Sequence, residues 1–271
     1  MKDMKILETN AKEIRKSIIK MINKSKSGHP GGSLSIADIL STLYFHEMKI
    51  DPQNPKDPNR DRFVLSKGHA SPAIYATLAE RGYFDKSLLS TFRAYGSILQ
   101  GHPDMKKVPG IDMSTGSLGQ GLSIANGMAC SAKMSGQDYR TYVVMGDGEL
   151  QEGQVWEAAM TAAHYKFDNL CAFIDNNNLQ IDGHVDKVMG VEPLDKKWES
   201  FGWNVIKVDG HSFESIICGL DAAKACKGKP SIIIAKTVKG KGVSFMENVC
   251  EFHGVAPDNA QTEKALEELS K

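Results

Sequence analysis

"YVVMGDGELQEG" occupies residues 142 to 153. Tyr142–Met145 is a short apolar run with two β-branched valines, and it breaks into Gly146-Asp147-Gly148. A helix-like pattern follows from Glu152. A buried strand that ends on a carboxylate between two glycines points to a ligand at its carboxyl end, because glycine lets backbone approach closely. A second such end lies further on: "DNNNLQIDG", residues 175 to 183, follows the apolar run from Leu170. Gly-Asp-Gly alone is a common turn, and Asn-Asn-Asn alone is most often one too. Their conjunction carries the weight: 27 residues separate Gly148 from Asn176-Asn177, the length of a strand–helix–strand unit.

Outward from this unit the pattern alternates. Strands are predicted at 62–66, 141–145, 170–175, 204–208 and 231–238. Helical stretches are predicted near 71–81, 118–135, 152–165, 193–201 and 212–226. Continuous apolar strands separated by helices imply an α/β fold, a parallel sheet with helices on both faces. Two helices precede it, one carrying Ile14, Ile18, Met21 and Ile22, the other Ile36, Ile39, Leu40, Leu43 and Tyr44 with Ser35 as N-cap. "DPQNPKDPNRDR" at 51–62 reads as a surface loop. No linker divides the chain, so residues 1–271 read as one large domain, with 256–271 a short amphipathic helix or a frayed tail.

The composition is that of an ordinary globular protein. Of 271 residues, 41% are hydrophobic and 24% charged, and 33 Lys+Arg balance 33 Asp+Glu. A neutral chain argues against a general nucleic-acid or anionic-membrane binder. The N-terminus has neither the apolar core nor the cleavage site of a secretory signal. No apolar window reaches the length of a membrane span. Five scattered cysteines without a C-x-x-C fit reduced thiols in a cytoplasmic protein.

Side by side, the two strand ends could bring Asp147, Asn177 and a loop carbonyl to a common point. One carboxylate, one amide oxygen and one carbonyl suit a hard cation such as Mg²⁺ or Ca²⁺, with positions left for phosphate oxygens.

This spacing resembles the thiamine diphosphate motif, and the wording "GDGELQEGQVWEAA" resembles the transketolase branch of that family. Further segments agree in order: "SGHPGGSLS" at 27–35, "LSKGHA" at 65–70, "QGHPD" at 100–104, "STGSLGQGLSIANGMA" at 114–129, and "KTVKGKGVSFMEN" with "FHG" at 236–254. The resemblance implies a thiamine-diphosphate-binding fold and a cofactor pair of thiamine diphosphate and Mg²⁺, with Ca²⁺ or Mn²⁺ able to substitute. Asp147, Asn177 and the Leu179 carbonyl would hold the metal. Gly146, Gly148 and Glu149 match positions at the cofactor, with the Gly148 N–H on a phosphate. Gly116, Ser117 and Leu118 match the aminopyrimidine end, and Lys239 and His253 match positions near the diphosphate and reacting centre. His29, His69 and His102 match histidines that line the substrate channel, His69 also touching the cofactor. Glu152 matches a glutamate buried at the subunit interface, where it couples cofactor sites.

Histidines titrate near neutrality and suit proton transfer to and from sugar hydroxyls, while Lys239 would offer the diphosphate a positive point charge. Each histidine also has a bland reading as a turn or cap residue in "GHPG" and "GHP". His46, His164, His184 and His211 fall outside the motifs and read as structural or exposed. Lys67 would bind phosphate or pair with a local carboxylate. Phe252 replaces a tryptophan common before the matching histidine.

Full transketolases are about twice as long, and this sequence matches their first domain only. The resemblance therefore implies the N-terminal subunit of a split transketolase, which moves a two-carbon ketol unit from a ketose to an aldose. Its expected partner is a C-terminal, pyrimidine-binding subunit, with two copies of each chain. Alternatives are a relative acting on a non-phosphate, for example sulfonated, sugar, and a non-catalytic subunit that holds cofactor and regulates another chain.

Overall fold

A computed structural model describes residues 2–271; Met1 lies outside them. The chain opens with α1 (Lys2–Ser25), α2 (Pro30–Leu34) and α3 (Ala37–Thr42). Strand β1 (Arg62–Leu65) leads to α4 (Ser71–Arg81) and α5 (Gln120–Ser135), and β2 (Thr141–Gly146) to α6 (Gly153–His164). Next come β3 (Leu170–Asn176), a two-residue-armed hairpin of β4 (Leu179–Gln180) and β5 (Gly183–His184), α7 (Val185–Val188) and α8 (Leu194–Ser200). Strand β6 (Asn204–Asp209), α9 (Phe213–Ala225), β7 (Ser231–Lys236) and α10 (Asn259–Glu268) complete it.

Five strands form one parallel sheet in the order β1-β2-β3-β7-β6. Side chains alternate across a strand, and both sets are apolar here, so the sheet is buried on both faces. Phe63, Leu65, Tyr142, Val144, Phe173 and Ile233 join a core with α1, α3, α4 and α9. Val64, Val143, Met145, Ala172, Ile174 and Ile232 join a second core with α5, α6 and α8. This is the covered parallel sheet that the apolar runs predict.

The structure differs from expectation around α3. The helix predicted from Ile36 through Tyr44 stops at Thr42 and widens into a looser turn, where the Met48 N–H reaches back to the Leu43 carbonyl at 2.8 Å. Ser35 is not an N-cap: its hydroxyl donates instead to Asp175 Oδ2 at 2.6 Å. At the other end, residues 259–268 are helical, started by a capping box between Asp258 and Gln261. Ala265 and Leu269 are buried in the first core, so the segment docks rather than frays.

Candidate active site

Parallel strands put all their carboxyl ends on one side, the side where open α/β sheets bind ligands. A cleft of about 180 Å³ lies there. Pairing of Gly146 with Asp175 brings the ends of β2 and β3 level. Asp147 is 2% exposed. The Gly148 N–H donates to its Oδ1 at 2.8 Å, and the Asn178 N–H donates to its Oδ2. Asn178 turns that N–H back by adopting φ +58°, a conformation asparagine tolerates. Asn177 donates from Nδ2 to Asp175 Oδ2 at 3.0 Å, while its Oδ1 accepts from the Leu179 N–H at 3.0 Å, so its amide orientation is fixed. The Leu179 carbonyl accepts from Lys239 Nζ at 2.9 Å.

Among the described residues Asp147 has no salt-bridge partner within contact distance. Burial, with the Asp175 charge nearby, pushes its carboxyl up to about 6. A divalent cation is the partner that would keep such a group ionised. No three His, Cys, Asp or Glu side chains cluster at metal-binding range among the described residues. A metal here therefore relies on the Asn177 amide and Leu179 carbonyl oxygens beside one carboxylate, and that donor set fits a hard cation.

Two buried lysines flank this point. Lys67 Nζ donates to Asp175 Oδ2 at 2.5 Å and to the Gly32 carbonyl at 2.7 Å. Burial alone would raise the Asp175 carboxyl; Lys67, Ser35 and Thr237 overcome that and hold it below the usual range. Lys239 donates to Leu179 and lies 2.8 Å from His253 Nδ1. Burial and the neighbouring Lys67 charge lower its ammonium to about 8.

Over the lysines sit three histidine rings. Centroids of His29 and His69 are 5.2 Å apart, of His29 and His253 5.4 Å, and of His69 and His253 5.2 Å. Burial and the nearby cations keep all three neutral: His29 is lowered to about 4, His253 to about 3, and His69 well below the ordinary value. Neutral imidazoles can accept hydrogen bonds from hydroxyl groups, and the nearby lysines favour an anion held beside them.

A family model described as "Transketolase, thiamine diphosphate binding domain" matches residues 6–270. The chain belongs to the transketolase thiamine diphosphate-binding family. The 6-deoxy-6-sulfo-D-fructose transketolase subunit SqwG of Clostridium sp. (strain MSTE9) is 48% identical over 98% of this chain and 96% of that one. An apulose-4-phosphate transketolase subunit from Phocaeicola vulgatus is 45% identical over 98% and 94%. Transketolase from Campylobacter jejuni superposes with a TM-score of 0.93 at 38% identity. This chain covers 43% of that solved chain, so it spans less than half of the longer transketolases it resembles.

Against the transketolase motifs, the structure brings Asp147, Asn177, Leu179, Gly146, Gly148, Leu118, Glu152, His69, Lys239 and His253 to one cleft. His29 reaches it through the other two rings. His102 stands apart: it is exposed, lies against Gly116 and is lowered by its partial burial and by Arg93. Ser117 is also exposed. Glu149 lines the cleft, yet its carboxylate is taken up inside the fold, accepting from Ser66, from the Gly119 N–H at 2.9 Å and from the Gly146 N–H at 3.1 Å. From there it braces the glycine loops. Lys67 takes the local-carboxylate option. Sequence reasoning missed Asp175, which accepts from Ser35, Lys67, Thr237 and Asn177. Its signal was a carboxylate directly after the apolar, buried run Leu170–Ile174.

Proposed function

We propose that this chain is the diphosphate-binding, N-terminal subunit of a split transketolase-type enzyme. With a pyrimidine-binding partner chain, it transfers a two-carbon ketol unit from a ketose to an aldose. The convergence of Asp147, Asn177 and the Leu179 carbonyl beneath Lys239 and three histidines carries this reading. Similarity over nearly full length to chains named as transketolase subunits supports the dependence on a partner.

Asp147, Asn177 and the Leu179 carbonyl would hold Mg²⁺, and Gly148 and Lys239 the diphosphate. Thiamine diphosphate, when bound, supplies the electron sink for cleaving and forming the carbon–carbon bond. The chain's own residues orient and neutralise. His29, His69 and His253, kept neutral, are set to accept hydrogen bonds from substrate hydroxyls, and His102 to meet the substrate nearer the surface. Glu152 would couple two such sites across an interface between copies. No helix is long and apolar enough to cross a membrane among the described residues, which is compatible with a cytoplasmic enzyme. The two cores share one sheet, which supports reading the chain as one domain. A sulfonated sugar donor is the second reading, favoured by the 48% identity to the sulfofructose transketolase subunit.

Calorimetric titration of thiamine diphosphate with Mg²⁺ into the complex of both chains tests the site. Asp147→Ala should weaken binding by more than the ten- to hundredfold, roughly, that loss of an outer-shell metal partner costs. Unchanged affinity in that variant would remove Asp147 from the site.

A further inference from the structure

Four histidines fall outside the transketolase motifs, and of these His46, His164 and His184 are exposed. His211 is different. It sits between β6 and α9 with 14% of its side chain accessible, and both ring nitrogens are engaged. Nδ1 donates to Asp38 Oδ2 at 2.8 Å, and the Val238 N–H donates to Nε2 at 2.8 Å. A ring nitrogen that accepts carries no proton, so the hydrogen resides on Nδ1. Asp38 is buried and gripped by Arg15 through two bonds of 2.8 and 2.6 Å. Burial alone would raise the Asp38 carboxyl, but Arg15 and His211 hold it below the usual range. An ionised carboxylate facing Nδ1 fixes the tautomer that leaves Nε2 free to accept.

Val238 immediately precedes Lys239. The backbone around it is pinned on either side: the Thr237 N–H donates to the Asn176 carbonyl at 3.2 Å, and the Gly240 N–H to the Gly31 carbonyl at 3.0 Å. Between these pins, His211 supplies the acceptor at Val238. From the next residue the Lys239 side chain crosses to the Leu179 carbonyl. A connected path thus runs from Arg15 on α1, through Asp38 on α3 and His211, to the lysine in the cleft.

We propose that His211 is a positioning residue: its Nε2, oriented by the Asp38–Arg15 pair, fixes the backbone at Val238 and so sets where Lys239 meets the diphosphate. This rests on the reading that the cleft holds thiamine diphosphate. The role needs an acceptor at the distance of Nε2, and imidazole carries it on a rigid ring whose other nitrogen is tied to Asp38.

Two substitutions separate these halves. His211→Asn keeps a donor at the Nδ1 position, but its oxygen stops short of Val238. His211→Gln extends an amide oxygen to the Nε2 position. Two readouts apply to the complex with the partner chain: hydrogen exchange at the Val238 amide, and calorimetric affinity for thiamine diphosphate with Mg²⁺. His211→Asn should exchange faster at Val238 and bind the cofactor about tenfold more weakly, the size typical of outer-shell losses; His211→Gln should restore both. Wild-type exchange and affinity in His211→Asn, or no rescue by His211→Gln, overturns the proposal. If His211→Asn does not fold, His211→Leu, which offers no acceptor, takes its place: faster Val238 exchange and weaker cofactor binding than in His211→Gln support the proposal, and values equal to those of His211→Gln overturn it. A wild-type complex that binds no thiamine diphosphate would sink the reading of the cleft, whereas equal Val238 exchange in wild type and His211→Asn sinks the relay itself.

Discussion

Lys67 and Asp175 form an ion pair with side chains 3% and 0% accessible. Such a pair is costly to bury, and its loss is costlier when only one partner goes, because the other charge remains without water. Lys67→Met should therefore destabilise the fold by about 3–5 kcal/mol. Lys67→Met combined with Asp175→Asn should cost less than the single change, since the stranded carboxylate is gone. Urea unfolding of the wild type and both variants checks this, and a double variant less stable than Lys67→Met would contradict it. The pair also explains which residues were legible in the sequence. Asp147 announces itself because glycines flank it where a strand ends. Asp175 lies inside an apolar strand, and its partners Ser35, Lys67 and Thr237 come from three distant segments. No local pattern records that meeting; only the folded sheet brings them to one oxygen pair. Phe252, where the resemblance implies a tryptophan, is buried and packs edge-on to Phe245, with ring centroids 5.7 Å apart.

The strands were readable to within two residues because the central ones, β2, β3 and β7, are largely continuous apolar runs, and burial on both faces demands that pattern, while the edge strand β6 keeps Val205, Ile206 and Val208 between polar residues. The β4–β5 hairpin was not. Its arms are two residues each, too short for any periodicity, and Gly183 with φ +141° is its chief mark. Yet this hairpin supplies the Leu179 carbonyl. The histidine cluster is likewise a product of assembly, since His29 precedes α2, His69 follows β1 and His253 precedes α10. Packing these turns together sets a pH dependence. Free histidine titrates near 6.5, while folded His29 and His253 do so at about 4 and about 3. Below pH 6.5 the unfolded chain binds protons that the folded rings refuse. Stability is then full above about 6.5 and falls as pH drops, down to about 4 for His29 and about 3 for His253. Urea unfolding between pH 7 and pH 5 should show this loss. His29→Asn, which cannot take the proton, should flatten the slope, and an unchanged slope would mean that His29 is not shielded.

Groups on the rim of the cleft suggest that a second chain completes it. Glu152, Ser117 and His102 are exposed around the buried Asp147, Glu149 and Lys239. On the neighbouring surface a groove of about 520 Å³ runs between α5 and α6, bordered by Cys130 and Tyr165, and Met134, Met160 and Tyr165 lie exposed on these helices or at their ends. Exposed apolar groups gathered on one helical surface mark a face suited to contact with another chain. Catalysis needs orientation and low-dielectric surroundings, and both suffer when one wall is water. The 271-residue chain alone should therefore bind thiamine diphosphate weakly and turn over no ketose. Adding the pyrimidine-binding subunit should restore both, in an assembly with two copies of each chain. The measurement is a titration of that subunit into this one, followed by ketol transfer and by light-scattering mass. Activity should rise to a plateau at one partner per chain, where the mass reaches that of the heterotetramer. Full turnover without the partner would falsify the split-enzyme reading. A plateau in mass with no turnover would instead favour a cofactor-holding subunit whose catalytic chain lies elsewhere.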